Sequence, residues 1–250
     1  MGLWRKKDFL EIIIPHFNNY PLFCGKLHAL QLLKQIIESL NNKEHKTKEG
    51  LIKITSLALS MNLGTFRKPE RIEDIYNGIG LEKGASLPFL PNLNTSIDTP
   101  LKDDFIAGVI DGDGSFWVSF QQDGRIKTGF SITVDTSSIP LLLKIKERLN
   151  NIGSIQKKKE TYSYYYIHGN NQILSTLIPF MDKNLLFSER SLHYNIFRKV
   201  SIILGTIKPL RLEDKLEIVE LAYNANKKGK RRHLSKEEYI DLLYKLHLKK

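Results

Sequence analysis

Asp111 and Asp113 stand two residues apart at the end of a largely apolar run, Phe105-Ile-Ala-Gly-Val-Ile-Asp-Gly-Asp-Gly-Ser-Phe116. A carboxylate in such a place can hold a hard divalent cation. Mg2+ keeps most of its waters and needs only one or two carboxylates. The chemistry would be metal-assisted hydrolysis, in which the ion activates a water and relieves negative charge. At this spacing the two acids cannot share one helical face. One can point past the helix end into a site, and the other is then a structural group.

The elements around these acids follow from the sequence. Thr99 and Pro100 suit a helix N-cap and first position, and Asp103 and Asp104 suit the first turn. Gly108 and Gly112 fall on one face of that helix. With no side chains there, another backbone can come close. Gly114 can end the helix. After it the period changes to two: Phe116, Val118 and Phe120 alternate with Ser115, Trp117, Ser119 and Gln121. Asp123-Gly124 signals a turn. Ile126, Thr128, Phe130, Ile132 and Val134 then alternate with Arg125, Lys127, Ser131 and Thr133.

This alternation predicts a hairpin with one apolar face and one polar, basic face. A β-ribbon of that kind fits the major groove of DNA. There Arg reads guanine, and Ser, Thr or Gln read other base edges. Gln121, Arg125, Lys127, Ser131 and Thr133 are the first candidates for nucleic-acid contacts, followed by Lys157 and Lys159. Trp117 points with the polar set. Tyr162, Tyr164, Tyr165 and Tyr166 either stack on bases or serve as strand formers on a half-buried sheet.

The bulk numbers narrow the partner. The 250 residues can hold one large or two small domains, and a net charge of +11 favours an anionic partner. Nucleic acid is favoured over a membrane, because no apolar run approaches the ~20 residues of a span. The single cysteine, Cys24, excludes an internal disulfide and a Cys-based metal cluster. The 7 His are scattered without ligand spacing, which argues against zinc. Lys outnumbers Arg 28 to 10, and Ile and Asn are abundant, a bias of AT-rich codons. An organellar genome gives that bias, as does an AT-rich bacterial or viral one.

The segment Ile106-Ala-Gly-Val-Ile-Asp-Gly-Asp-Gly114 resembles the motif of the LAGLIDADG homing endonucleases, between an apolar helix and an alternating strand. The resemblance implies an α+β fold of αββαββα-type repeats with an antiparallel DNA-binding β-saddle. It implies a site-specific, Mg2+-dependent DNA endonuclease that acts in intron homing. Asp113 would then be the metal carboxylate, with the Gly112 carbonyl in the metal shell. In the family, one such acid from each of two motifs serves one DNA strand. Ala107, Gly108, Asp111 and Gly112 would pack one motif helix on another. Lys26 and Arg190 match a basic position that the family places near the scissile phosphate. Arg departs from the usual Lys there and cannot exchange a proton at neutral pH. Double-stranded DNA is the expected partner. An intron maturase that binds group I intron RNA, or an inactive remnant frame, are the alternatives. An intron-encoded protein with this codon bias points to an organelle, the mitochondrion before the chloroplast.

The chain also repeats itself. Ile14-Pro15 followed by Leu22-Phe23 matches Ile178-Pro179 followed by Leu186-Phe187, and Lys26 falls on Arg190 without a gap. Each pair precedes an amphipathic helix, about 26–40 and 189–204. This predicts the back half of a first repeat over 1–80, a Pro-containing linker over 81–100, a whole second repeat over 101–204 and a helical extension over 205–250. The front half of the first repeat is expected upstream of Met1 or from a second chain. Further helices are predicted at about 47–61, 70–76, 139–149, 170–178, 212–224 and 236–246, with a second hairpin over 152–159 and 162–168. Lys227 to Arg232 forms a basic patch.

Overall fold

The computed structural model describes residues 6–61, 69–80, 99–158, 161–206, 209–225 and 233–248. Residues 81–98 of the predicted linker, the basic patch at 227–232 and Lys159 lie outside them. The chain forms two compact units, Met1–Asp98 and Thr99–Lys250. The helical extension expected over 205–250 groups with the second unit. No described helix is long and apolar enough to cross a membrane.

In the first unit a π turn, Phe9–Ile13, runs into α1 (Ile14–Asn19), and α2 (Cys24–Asn41), α3 (Lys48–Ser60) and α4 (Pro69–Gly78) follow. The second unit contains the same local structure: a π turn at Ile173–Leu177 enters a helix at Ile178–Lys183. The cause is the same in both. Pro15 and Pro179 lack an N–H and crowd the carbonyl one turn back. The preceding turn widens, so that Ile14 N–H reaches Phe9 O and Ile178 N–H reaches Ile173 O. The widened turns and the short helices fall at matched positions when Ile14 is laid on Ile178. Over these two short segments the matched sequence has matched backbone. The start of α3 is set by Thr47, whose side chain accepts from Gly50 N–H.

The second unit opens with α5 (Asp103–Asp113), which passes directly into β1 (Gly114–Phe120). Next come β2 (Ile126–Asp135), α6 (Ile139–Arg148), β3 (Ser154–Lys157), β4 (Tyr162–His168), α7 (Ile178–Lys183) and α8 (Arg190–Thr206). Two more helices, α9 (Leu212–Ala225) and α10 (Lys236–His247), end the unit. The four strands form one antiparallel sheet in the order β1-β2-β4-β3. The predicted α-β-β-α-β-β-α succession is present. The start of α5 differs from the expected Thr99-Pro100: Lys102 is the N-cap, without a side-chain cap bond. Asp103 holds that end instead through a two-pronged ion pair with Arg148 of α6, at 2.7 and 2.6 Å.

One face of the sheet makes the core. Ile126, Phe130, Ile132, Tyr165 and Ile167 are buried there with Ile106 and Ile110 of α5, Leu142 and Ile145 of α6, and Phe197 and Val200 of α8. Each such side chain stabilises the fold by about 1.5–3 kcal/mol relative to exposure. Phe116 packs against Phe130, Tyr194 and Phe197 with ring centroids 5.1–5.3 Å apart. The last two helices cover the far end of the hairpin. Phe120 meets Tyr239 at 4.7 Å, and the Tyr239 hydroxyl donates to Gln121 O. A Ser235–Glu238 capping box starts α10.

Candidate active site and nucleic-acid interface

The acidic tip arises because α5 has no room to continue. A Cβ on Gly114 would lie 2.5 Å from Ile110 O, so only glycine lets the chain turn straight into the strand. Gly114 does this with extended backbone, φ −69° and ψ 153°. The two acids before it then have different surroundings. The Asp111 carboxylate accepts from Phe187 N–H at 3.1 Å and from Ser188 N–H at 3.0 Å, and the Ser188 hydroxyl donates to it as well. The Ser188 hydroxyl and these backbone donors hold its acidity below the usual carboxylate range. Asp111 is thus a clasp on the segment before α8. Asp113 is exposed and makes no hydrogen bond or ion pair among the described residues.

Arg190, at the start of α8, reaches the other groups of the tip. Its Nε donates to Asp111 O at 2.6 Å, its Nη2 to Gly112 O at 2.5 Å, and its Nη1 to Gly114 O. The last carbonyls of a helix lack intrahelical donors and carry partial negative charge. A guanidinium presents its donors in a fixed fork and can serve several of them together. The resemblance implies a place near the scissile phosphate for Arg190; its guanidinium bonds the carbonyls of the helix end. The matched Lys26 is exposed near the start of α2 and has no bonded partner among the described residues.

The four residues expected to pack motif helices divide. A Cβ at Gly108 or Gly112 would meet nothing within 4 Å in this unit, so the glycine face is open. Ala107 is buried on the inner side, and Asp111 turns to Ser188. The tip fits a hard divalent ion through the Asp113 carboxylate. The Gly112 carbonyl is a weaker donor for it, since it already accepts from Arg190. No group of three or more His, Cys, Asp or Glu suited to a metal occurs among the described residues.

The open face of the sheet begins one residue beyond Gly114. Side chains alternate along a strand, and directly paired residues of antiparallel strands share a face. Ser115, Ser131 and Tyr166 therefore form one row with Ser154. Thr133, Tyr164 and Gln156 form the next. On the other side lie Trp117, Gly129 and His168, then Ser119 and Lys127. Trp117 lies over Gly129, where a Cβ would clash with the indole at 2.0 Å. Aromatic rings line the face: Trp117–His168 at 5.4 Å, His168–Tyr166 at 4.6 Å and Tyr166–Tyr164 at 5.2 Å.

Five of the predicted contact residues belong to this hairpin. Lys127, Ser131 and Thr133 lie on the open face. Gln121 follows the first strand at the turn, and its N–H donates to Arg125 O. Arg125 is exposed, but its Nε is paired with Asp123 at 2.6 Å. Lys157 has the wrong parity. It pairs with Ser163, on the side of Ile155, and so points away from the open face. Lys158, one residue on, has its ammonium 5.5 Å from the Tyr164 ring centroid. Sequence reasoning missed Lys158, Gln156 and His168. Strict alternation through β4 would have placed His168 with Tyr164 and Tyr166.

The model of the LAGLIDADG endonuclease family matches residues 106–201, which span the tip, the whole sheet and the start of α8. Over that stretch the chain is similar to the LAGLIDADG endonucleases. The chain is 29% identical over 221 residues to "Probable intron-encoded endonuclease 2" of Neurospora crassa, covering 84% of this chain and 46% of that protein. It is 27% identical over 182 residues to "Probable intron-encoded DNA endonuclease 1" of Mycosarcoma maydis, covering 71% and 66% respectively. It thus spans about half to two thirds of the length of these curated relatives. Among solved structures, the I-SmaMI LAGLIDADG homing endonuclease bound to cleaved DNA superposes with a TM-score of 0.73 at 26% identity, over 90% of this chain and 73% of that one. The I-LtrWI LAGLIDADG homing endonuclease bound to target DNA gives 0.71 at 26% identity, over 92% and 74%. The α+β LAGLIDADG homing-endonuclease fold is the fold of this chain.

Proposed function

We propose that the chain carries the DNA-reading and strand-cleaving parts of a site-specific homing endonuclease that depends on Mg2+. The observation that carries this reading is Asp113, an exposed carboxylate without a bonded partner at the end of a helix whose other acid is fully engaged. It sits directly before the strand that opens the polar sheet face. DNA laid on that face would bring a phosphate to the tip.

Asp113 would hold the divalent ion, which when bound activates water and offsets charge on the phosphate and the leaving oxygen. The rest of the work falls to the chain. Arg190 neutralises the negative end of α5 and so lowers its repulsion toward a phosphate. Asp111 fixes the segment 187–188, and with it the start of α8 and Arg190. Lys127 supplies charge on the sheet face, and Ser131 and Thr133 supply hydroxyls. Lys26 would serve the matched position of the first repeat. One tip suffices for one strand. Cutting both would use a second acid, which the family pattern places on a second motif helix against the open face of Gly108 and Gly112.

Intron homing and a mitochondrial site of action follow from this reading together with the codon bias and the relatives that are intron-encoded. The test is cleavage of a target-bearing plasmid library with Mg2+. Asp113→Asn should retain binding and lose hydrolysis of at least one strand. Undiminished double-strand cleavage by that variant would end the assignment.

A further inference from the structure

Gln156 is the polar side chain on the open face that is held from both sides. Its Oε1 accepts from the Tyr164 hydroxyl at 2.6 Å, and its Nε2 donates to the Tyr166 hydroxyl at 2.7 Å. An exposed Gln ordinarily samples many rotamers and must lose that freedom on binding. Here the two phenols restrain it before any partner arrives. The phenols themselves are fixed by the strand: Tyr165 between them is fully buried, so Tyr164 and Tyr166 must both stand on the outer face. Their rings lie 5.2 Å apart, close enough to support each other.

The core does not call for this arrangement. Tyr164 and Tyr166 are only half-buried, and Gln156 is exposed on the edge strand. A carboxamide has two N–H donors and an oxygen with two lone pairs. One donor and one lone pair are used by the phenols. One donor and one acceptor remain. In the major groove, adenine offers N7 as acceptor and N6 as donor, and Gln pairs with both. Restraint of a side chain in its binding conformation raises affinity by lowering the cost of ordering.

We propose that Gln156, pre-positioned by Tyr164 and Tyr166, is a specificity-determining residue that reads an adenine in the major groove. The proposal rests on the DNA reading above. Thr133 lies in the same row and Lys158 is beside Tyr164, so the contact has a hydroxyl and a cation next to it.

The experiment is selection from a randomised duplex DNA library by the full chain, followed by binding of single-base variants of the selected duplex. Gln156→Ala should relax the preference for adenine at one position about tenfold. Its salt dependence should not change, because no charge is removed. Gln156→Glu should move that position toward cytosine, whose N4 donates to a carboxylate. The double variant Tyr164→Phe with Tyr166→Phe leaves Gln156 in place and should relax the same position less, roughly threefold. Gln156→Ala selecting the same sequence as the parent, with normal salt-dependent binding, overturns the proposal and leaves the DNA reading intact. A parent chain that enriches no sequence overturns both.

Discussion

The tip of α5 and the open face of the sheet use polar groups in opposite ways. At the tip, Asp111, Ser188 and Arg190 bond to one another's backbone, and Asp113 remains over. On the sheet, Lys127 and Thr133 are exposed, and Gln156 and the aromatic ring line are only partly engaged. The tip is built to hold one charge in one place. The sheet face is built to offer many contacts, each weak. A change at the tip should therefore act on the chemical step or on stability, and a change on the face should act on binding.

The largest expected effect comes from Asp113→Asn. Under the proposed function this removes a metal carboxylate and several kcal/mol of charge stabilisation, a decrease in cleavage rate of roughly a thousandfold. Binding to the same DNA should change little. Rates of single-strand nicking measured beside an electrophoretic binding titration give both readouts. Equal losses in the two would blur the contrast between tip and face.

Asp111→Asn comes next and should act on stability. It breaks charge-assisted bonds to Phe187 and Ser188, which places the cost at about 1–2 kcal/mol. Its pH dependence has a definite sign. The folded Asp111 is more acidic than its unfolded form, because the Ser188 hydroxyl and backbone donors favour the carboxylate. The stability it adds is complete above the unfolded value of about 4 and fades as pH falls through the lower folded value. Thermal melts of parent and variant should thus converge on acidification below about pH 4. A constant gap down to the lowest pH would mean that Asp111 acts through packing instead.

The smallest effects belong to the face. Lys127→Ala should flatten the slope of log affinity against log salt by about 1, as for one lost phosphate contact. Arg125→Ala should flatten it less, because Asp123 already shares its charge at 2.6 Å. The same two variants should leave the rate at saturating DNA within about twofold, since neither residue is at the tip. A larger change for Arg125 than for Lys127 would reverse the order drawn from the ion pair.

The open face also shows where local reasoning ends. Period-two alternation placed Lys127, Ser131 and Thr133 correctly, since parity along a strand is local. It failed at Lys157 because the register of the short edge strand is set by β4. Ser163↔Lys157 is a pairing between strands, and no property of residues 154–157 alone decides it. The Tyr cluster was undecidable for a similar reason. Tyr164, Tyr165 and Tyr166 are chemically alike, and only the packed α6 and β2 side shows that the middle one is inside.

Much of this protein is nevertheless determined by the chain itself. The glycine-faced helix, the turn at Asp123-Gly124, the capping box at Ser235 and the widened turns before Pro15 and Pro179 depend on sterics and hydrogen bonds over a few residues. Such features are fixed wherever the segment is placed. The roles of Asp111, Arg190 and Gln156 depend on neighbours brought close only by folding: Ser188 for the first, the tip carbonyls for the second, two phenols for the third. Tertiary structure decided those, because a carboxylate, a guanidinium or an amide takes its function from the groups within hydrogen-bond reach, and sequence distance does not measure that reach.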